Sequence, residues 1–187
     1  MDLSATALPP TLPALRILIV PDPVLKARAR RVEAADAAEV RALIPRMFAA
    51  MYAAPGIGLA APQVGVGLRL AVVDLMAEEK PAPLVLINPE IIAASAELAT
   101  REEGCLSLPG QYAEVTRPAR VSLRYHDAGG ARHDLTAEAL LAACVQHEID
   151  HLDGVLFTDH LSALKRNMIL RRLAKEQRQK RDRAGGP

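Results

Sequence analysis

The sequence predicts an α+β fold: antiparallel β-sheets packed around a central H-E-x-x-H helix, with an N-terminal amphipathic helix and a C-terminal helix. Three observations predict it. The stretch Gln146-His147-Glu148-Ile149-Asp150-His151 ends a run of good helix formers free of Gly and Pro. Val40, Leu43, Ile44, Met47, Phe48 and Met51 recur at helical spacing. Between these two segments lie short β-rich runs bounded by Gly, Pro and Asn.

At 187 residues the chain is long enough for one domain with a sizeable core. The expected division is an N-terminal arm at 1–14, a catalytic domain at 15–175 and a basic, frayed tail at 176–187. A net charge of +1 and an aromatic content of 3% give no basis for sequence-specific nucleic-acid binding. No apolar run approaches the roughly 18 residues of a membrane span. The first residues lack the basic start and apolar run of a signal peptide. Two cysteines without a C-x-x-C pattern suit a reducing cytoplasm.

In chain order, Arg16 to Val20 reads as a short strand closed by Pro21 and Pro23. Asp36 can cap the first helix, with Glu39 three residues on. Pro45 interrupts that helix at a cost of about 3 kcal/mol, yet the apolar stripe keeps its phase across it. Gly56 to Gly65 carries small side chains. It is either a backbone that lets another chain approach closely or a tight helix-to-strand turn. Leu68 to Leu75 and Leu84 to Ile87 read as strands, with Asn88-Pro89 as a break. Ile91 to Thr100 alternates weakly and reads as one strand of a hairpin-rich sheet, and Arg101 to Gly110 reads as a loop bearing one thiol. Ala119 to His126 and Ala131 to Leu135 flank a Gly-rich turn and form a hairpin. Thr136 can cap the central helix and Gly154 can stop it. A last helix runs from Leu161. Its basic end, from Lys165 on, is a solvated helix face or a dock for acidic surfaces such as RNA.

The chemistry centres on His147 and His151. Four residues apart on a helix, they share one face, with Glu148 placed to take a proton from a metal-activated water. A third ligand is needed. Phe157 stands where one protease branch has its third histidine. Cys144 lies roughly 4.5 Å along the helix axis from His147 and about 10.5 Å from His151, too far up the helix, so it should line the pocket. Cys105, on a separate segment, is free to approach from across the site. That leaves Cys105, His147 and His151 as ligands with a fourth position open, the form of a catalytic site.

Three motifs in order complete the pattern: Gly56-Ile57-Gly58-Leu59-Ala60-Ala61-Pro62-Gln63, Glu103-Gly104-Cys105-Leu106-Ser107 and the helical Gln146 to His151. Together they resemble the peptide deformylase family. The resemblance implies removal of the N-formyl group from the initiator methionine of new polypeptides, releasing formate. It implies iron(II) as metal, with zinc, nickel or cobalt as substitutes. It implies Glu148 as general base and acid, and Gln63 with the Leu106 backbone N–H as oxyanion donors. Gly58 would pair with the substrate backbone, while Ile57, Glu103, Leu140, Cys144 and His147 would border the methionine pocket. Arg101 stands where many members place an apolar pocket residue. Tyr112 stands where some bacterial members carry a substrate-binding Arg. The resemblance implies an N-formylmethionyl peptide as partner, and the basic C-terminal helix, read by its charge, is expected to contact the ribosome.

Overall fold

The computed structural model describes residues 14–76 and 81–184. Seven strands and three α-helices organise them. The helices are α1 (Ala37–Ala53), α2 (Ala139–Leu152) and α3 (Ala163–Ala184). The strands are β1 (Gly58–Ala60), β2 (Leu70–Val73), β3 (Leu84–Ala94), β4 (Leu98–Cys105), β5 (Leu108–Pro118), β6 (Arg120–His126) and β7 (Arg132–Glu138). A five-stranded sheet has the order β1-β2-β3-β6-β7, and β4 pairs with β5 as a separate two-stranded sheet. All these pairings are antiparallel.

The larger sheet is covered on both faces near β2, which is why all four residues of that strand are buried and apolar. Leu70 and Val72 face α1 and pack with its stripe of Val40, Leu43, Met47 and Met51. Ala71 and Val73 face the other way, toward Ala142, Val145 and Leu152 of α2. Ala60 on β1 and Ala71 on β2 are small, so α2 lies close to the sheet. A third cluster of Leu25, Leu108, Val115, Phe157 and Leu173 packs the β4–β5 hairpin against α3.

Pro45 sits inside an unbroken α1, on its exposed side. The burial of Met47 and Met51 beyond it offsets the lost hydrogen bond. Gly154 follows α2 with φ 72°, and a Cβ there would meet the Lys26 carbonyl oxygen at 2.6 Å, so the helix stops at a position that only glycine fits.

Several sequence-based expectations change. Residues 16–20 form no strand. They make single bonds from Leu18 N–H to Gln63 O and from Val20 N–H to Ser107 O, and a turn begins at Val20. Asp36 does not cap α1 through its side chain; it accepts from Glu33 N–H and from Arg30 instead. Asn88-Pro89 does not end β3, because Asn88 takes φ 51° and the register shifts there as a bulge. The segment 91–100 belongs to two strands, with a turn between Ala94 and Leu98. The expected loop at 101–110 is the tip of the β4–β5 hairpin, and Cys105 is the last residue of β4. Thr136 caps nothing, because β7 runs through it to Glu138 and α2 begins at Ala139. α3 continues through 176–184, where Gln177 Nε2 donates to Val20 O. The expected arm at 1–14 lies, apart from Ala14, outside the described residues, as do 185–187 of the tail.

Candidate metal centre

Three donor-bearing side chains meet where α2 passes the end of β4. The ligand atoms of Cys105, His147 and His151 lie within 4.8 Å of one another. Opposed metal–ligand bonds of about 2.0–2.3 Å each span roughly 4–4.6 Å, so this donor set fits one small cation. Cys105 Sγ is 3.2 Å from His151 Nε2. Both histidines come from one helical face, with ring centroids 4.9 Å apart. At the site, the buried Glu148 Oε2 lacks a hydrogen-bond partner among the described residues. A buried orphan of this kind calls for a ligand or water.

The surroundings fix each donor. Glu103 Oε2 lies 2.9 Å from His147 Nδ1, which leaves the opposite ring nitrogen to the cluster. Glu103 is itself held by Arg117, whose Nε and Nη2 donate at 2.6 and 3.0 Å. Arg117 Nη1 reaches on to Asp150 Oδ2 at 2.8 Å, and His160 Nε2 lies 2.7 Å from the same oxygen. Phe157 stacks on the His147 ring at 6.3 Å, so the position that lacks a third histidine serves packing instead. Gln63 is oriented from its other end. Its Oε1 accepts from Ala60 N–H at 2.8 Å, which turns its amide nitrogen toward Cys105 Sγ at 3.5 Å and Ser107 Oγ at 3.2 Å.

Electrostatics sort the carboxyls into two kinds. Burial pushes Glu148 up to about 7; Glu103's charge adds to this and His147 opposes it. Glu103 is also buried, but hydrogen bonds from His147 and Arg117 outweigh the desolvation and hold it at about 2. One carboxyl is thus poised to exchange a proton near neutrality, and the other is fixed as an anion. Burial, with the charges of Glu148 and Glu103, drives the Cys144 thiol well above its ordinary value, so it remains a neutral wall. Burial first, then His147, lowers His151, which favours the neutral ring a ligand requires.

These groups open onto a cleft of about 580 Å³. Ile57, Gly58, Gln63, Glu103, Leu106, Tyr112, Leu140, Cys144 and Glu148 all line it, with Cys105 and His147. His151 lies behind them, 1% exposed. Tyr112 is 64% exposed, at the outer edge. A Cβ on Gly58 would collide with the Glu148 carboxylate and come within 3.0 Å of Cys144 Sγ. The close-approach reading of the Gly-rich stretch therefore holds at that residue, while Ala61–Val64 is a 3-10 turn that leads from β1 toward β2 rather than a helix-to-strand turn. Gly104 has the same need, because the Tyr112 ring lies 2.5 Å from where its Cβ would stand. Sequence reasoning missed Arg117, Ser107 and His160. Asp150 carried a signal, since it is one turn of α2 from His147, but Arg117 belongs to a distant strand and carried none.

A cysteine sulfur and two imidazoles beside a buried carboxyl, open to a peptide-sized cleft, define a metallohydrolase. A family model for polypeptide deformylase matches residues 14–167. A peptide deformylase of Mesorhizobium japonicum is 51% identical over 165 residues, covering 88% of this chain and 93% of that protein. One from Rhizorhabdus wittichii is 53% identical over 172 residues, covering 88% and 97%. Among solved structures, a peptide deformylase from Legionella pneumophila superposes with a TM-score of 0.82 at 46% identity, covering 92% of this chain and 98% of that one. One from Synechococcus elongatus in complex with actinonin gives 0.80 at 46% identity, covering 87% and 89%. The chain belongs to the polypeptide deformylase family.

Replacing Glu103 with Gln keeps the volume but removes the charge that Arg117 and His147 share. Zinc affinity, measured by chelator competition, should fall about 10- to 100-fold with the fold retained by circular dichroism. An unchanged affinity would show that Glu103 does not orient His147.

Proposed function

We propose that this chain removes the N-formyl group from the initiator methionine of newly made polypeptides, releasing formate and a free methionyl amine. The observation that carries this reading is the buried Glu148 carboxyl beside the Cys105, His147 and His151 donors, inside a cleft lined by β1 and β4. Each of these strands has an unpaired edge, since β1 ends the larger sheet and β4 pairs with β5 alone. A peptide can join such edges as an added strand, with Gly58 offering backbone contacts. Ile57, Leu140 and Cys144, with Glu103 and His147 deeper in, border a slot for the unbranched methionine side chain.

In this reading Cys105, His147 and His151 hold one divalent cation. We propose iron(II), with zinc, nickel or cobalt accepted by the same donors. A cation held there would supply Lewis-acid chemistry toward the formyl group and water. Glu148 takes a proton from the attacking water and delivers it to the departing amine. Its pKa of about 7 suits both transfers. The Gln63 amide and the Leu106 N–H receive the negative charge that develops on the formyl oxygen. Gln63 is preset for this by its bond from Ala60 N–H. Tyr112 borders the cleft beyond the methionine slot and contacts the following residues of the substrate.

The second partner we propose is the ribosome, contacted by α3. From Lys165 on, the chain carries nine Lys or Arg against two Asp or Glu. Arg178, Lys180, Arg181 and Arg183 on α3 are all exposed. No helix among the described residues is long and apolar enough to cross a membrane. We further propose a cytoplasmic location, because newly made chains are the proposed substrate.

Three measurements test these readings. Protein loaded anaerobically with iron or nickel should release formate from formyl-Met-Ala-Ser, and Glu148→Ala should lower turnover by about 10²–10⁴-fold while retaining metal. Absence of formate would reject the activity. Cys144→Ser should retain stoichiometric metal where Cys105→Ser loses it, and metal loss from the Cys144 variant would reject the ligand assignment. Reversing Arg178, Lys180, Arg181 and Arg183 to Glu should weaken co-sedimentation with ribosomes and flatten its salt dependence. Equal binding by this variant would remove the ribosome from the picture.

A further inference from the structure

The β4–β5 hairpin divides its charges between two faces. Ala99, Arg101 and Glu103 share one face with their partners Arg117, Val115 and Ala113. Thr100, Glu102 and Gly104 share the other with Thr116, Glu114 and Tyr112. On the first face the nearest carboxylate along the strand from Arg101 is Glu103, and both of its oxygens are taken by Arg117 and His147. Arg101 is exposed and has no hydrogen bond or ion pair among the described residues. It lines the main cleft and also a small recess beside Ala139 and Ala143 of α2. An unpaired guanidinium on the wall of a peptide cleft is suited to a carboxylate, which it can grip with two parallel bonds.

The proposed substrate geometry gives that carboxylate an address. A formyl group near Cys105 sends the peptide away from the donors, back along β4 toward Arg101. Side chains of an extended strand alternate, and two residues advance about 6.8 Å. The methionine side chain shares the face of Glu103, Leu140 and Cys144. The second residue then turns toward Glu102 and Tyr112. The third returns to the face of Arg101, two residues along β4 from Glu103, so the spacings match.

We propose that Arg101 selects formylated peptides with an acidic side chain at the third residue. The inference rests on the deformylase reading above. Glu102, with Glu114 directly across from it, makes the second position unfavourable to acid, so the preference carries a positional signature.

The test compares kcat/KM of the metal-loaded protein on three peptides: formyl-Met-Ala-Glu-Ala-amide, formyl-Met-Ala-Lys-Ala-amide and formyl-Met-Glu-Ala-Ala-amide. The C-terminal amide removes a competing carboxylate. The third-position Glu peptide should be favoured over Lys by about two- to fivefold at low salt, the range of an exposed ion pair. The ratio should shrink toward one at about 1 M salt. Arg101→Glu should invert it. A ratio of one in the unmodified protein, or a ratio that survives Arg101→Glu, overturns the inference. Equal gain from Glu at the second position would show diffuse steering and also overturn it. Formate release with no charge preference rejects Arg101 alone, whereas no formate from any peptide rejects the deformylase reading with it.

Discussion

The buried ion cluster of Glu103 with Arg117 and His147 holds the rest of the site in register. Glu103 and Arg117 belong to the β4–β5 hairpin, and His147 and Asp150 belong to α2. Their bonds join the small sheet to the helix that packs on the large one. The donor cluster depends on that join, because Cys105 sits on the hairpin and both histidines sit on the helix. Taking these charges out of water costs several kcal/mol per ion. The cost is offset here because both Glu103 oxygens and all three Arg117 nitrogens that face the cluster have partners. Removing one member would leave the others buried and unmatched.

The division between the faces of the large sheet serves the same end. Leu59, Leu70 and Val72 fill the space toward α1. Ala60 and Ala71 leave room on the other side, so α2 can sit against the sheet and bring Glu148 against Gly58. The Glu148 carboxyl therefore owes its dry environment to small residues in two strands as much as to its own helix. Gln63 is set by the turn that directly follows β1, so both walls of the cleft come from rigid elements.

What the sequence made legible was local. The α2 face, the α1 stripe and the β6–β7 hairpin are written in spacings of two to four residues, and the structure has them. The donor set was legible because two of its members share one helical face and Cys144 could be ruled out by helix rise. Residues 101–110 of the β4–β5 hairpin were read as a loop for a physical reason. Arg101, Glu102 and Glu103 look solvated, yet Glu103 points inward and is matched by Arg117, fourteen residues away across the ladder. Nothing in a linear pattern distinguishes an inward carboxylate from a surface one. Asn88-Pro89 misled in the same way, because a positive φ at Asn88 converts a strand breaker into a bulge. Residues 16–20 have the composition of a strand but find only isolated backbone partners.

The two halves of the donor set lie far apart along the chain, on separate sheets and helices. A cation held by Cys105, His147 and His151 would favour the folded chain, which brings the three together, over the unfolded one, which must first close the loop between them. By mass action such a ligand stabilises the folded form by about 2.7 kcal/mol when present at 100 times its dissociation constant. A cation at this cluster would then also act as a clasp between the hairpin and the central helix. Starvation for metal would thin the population of folded enzyme, and the cell would lose molecules as well as turnover.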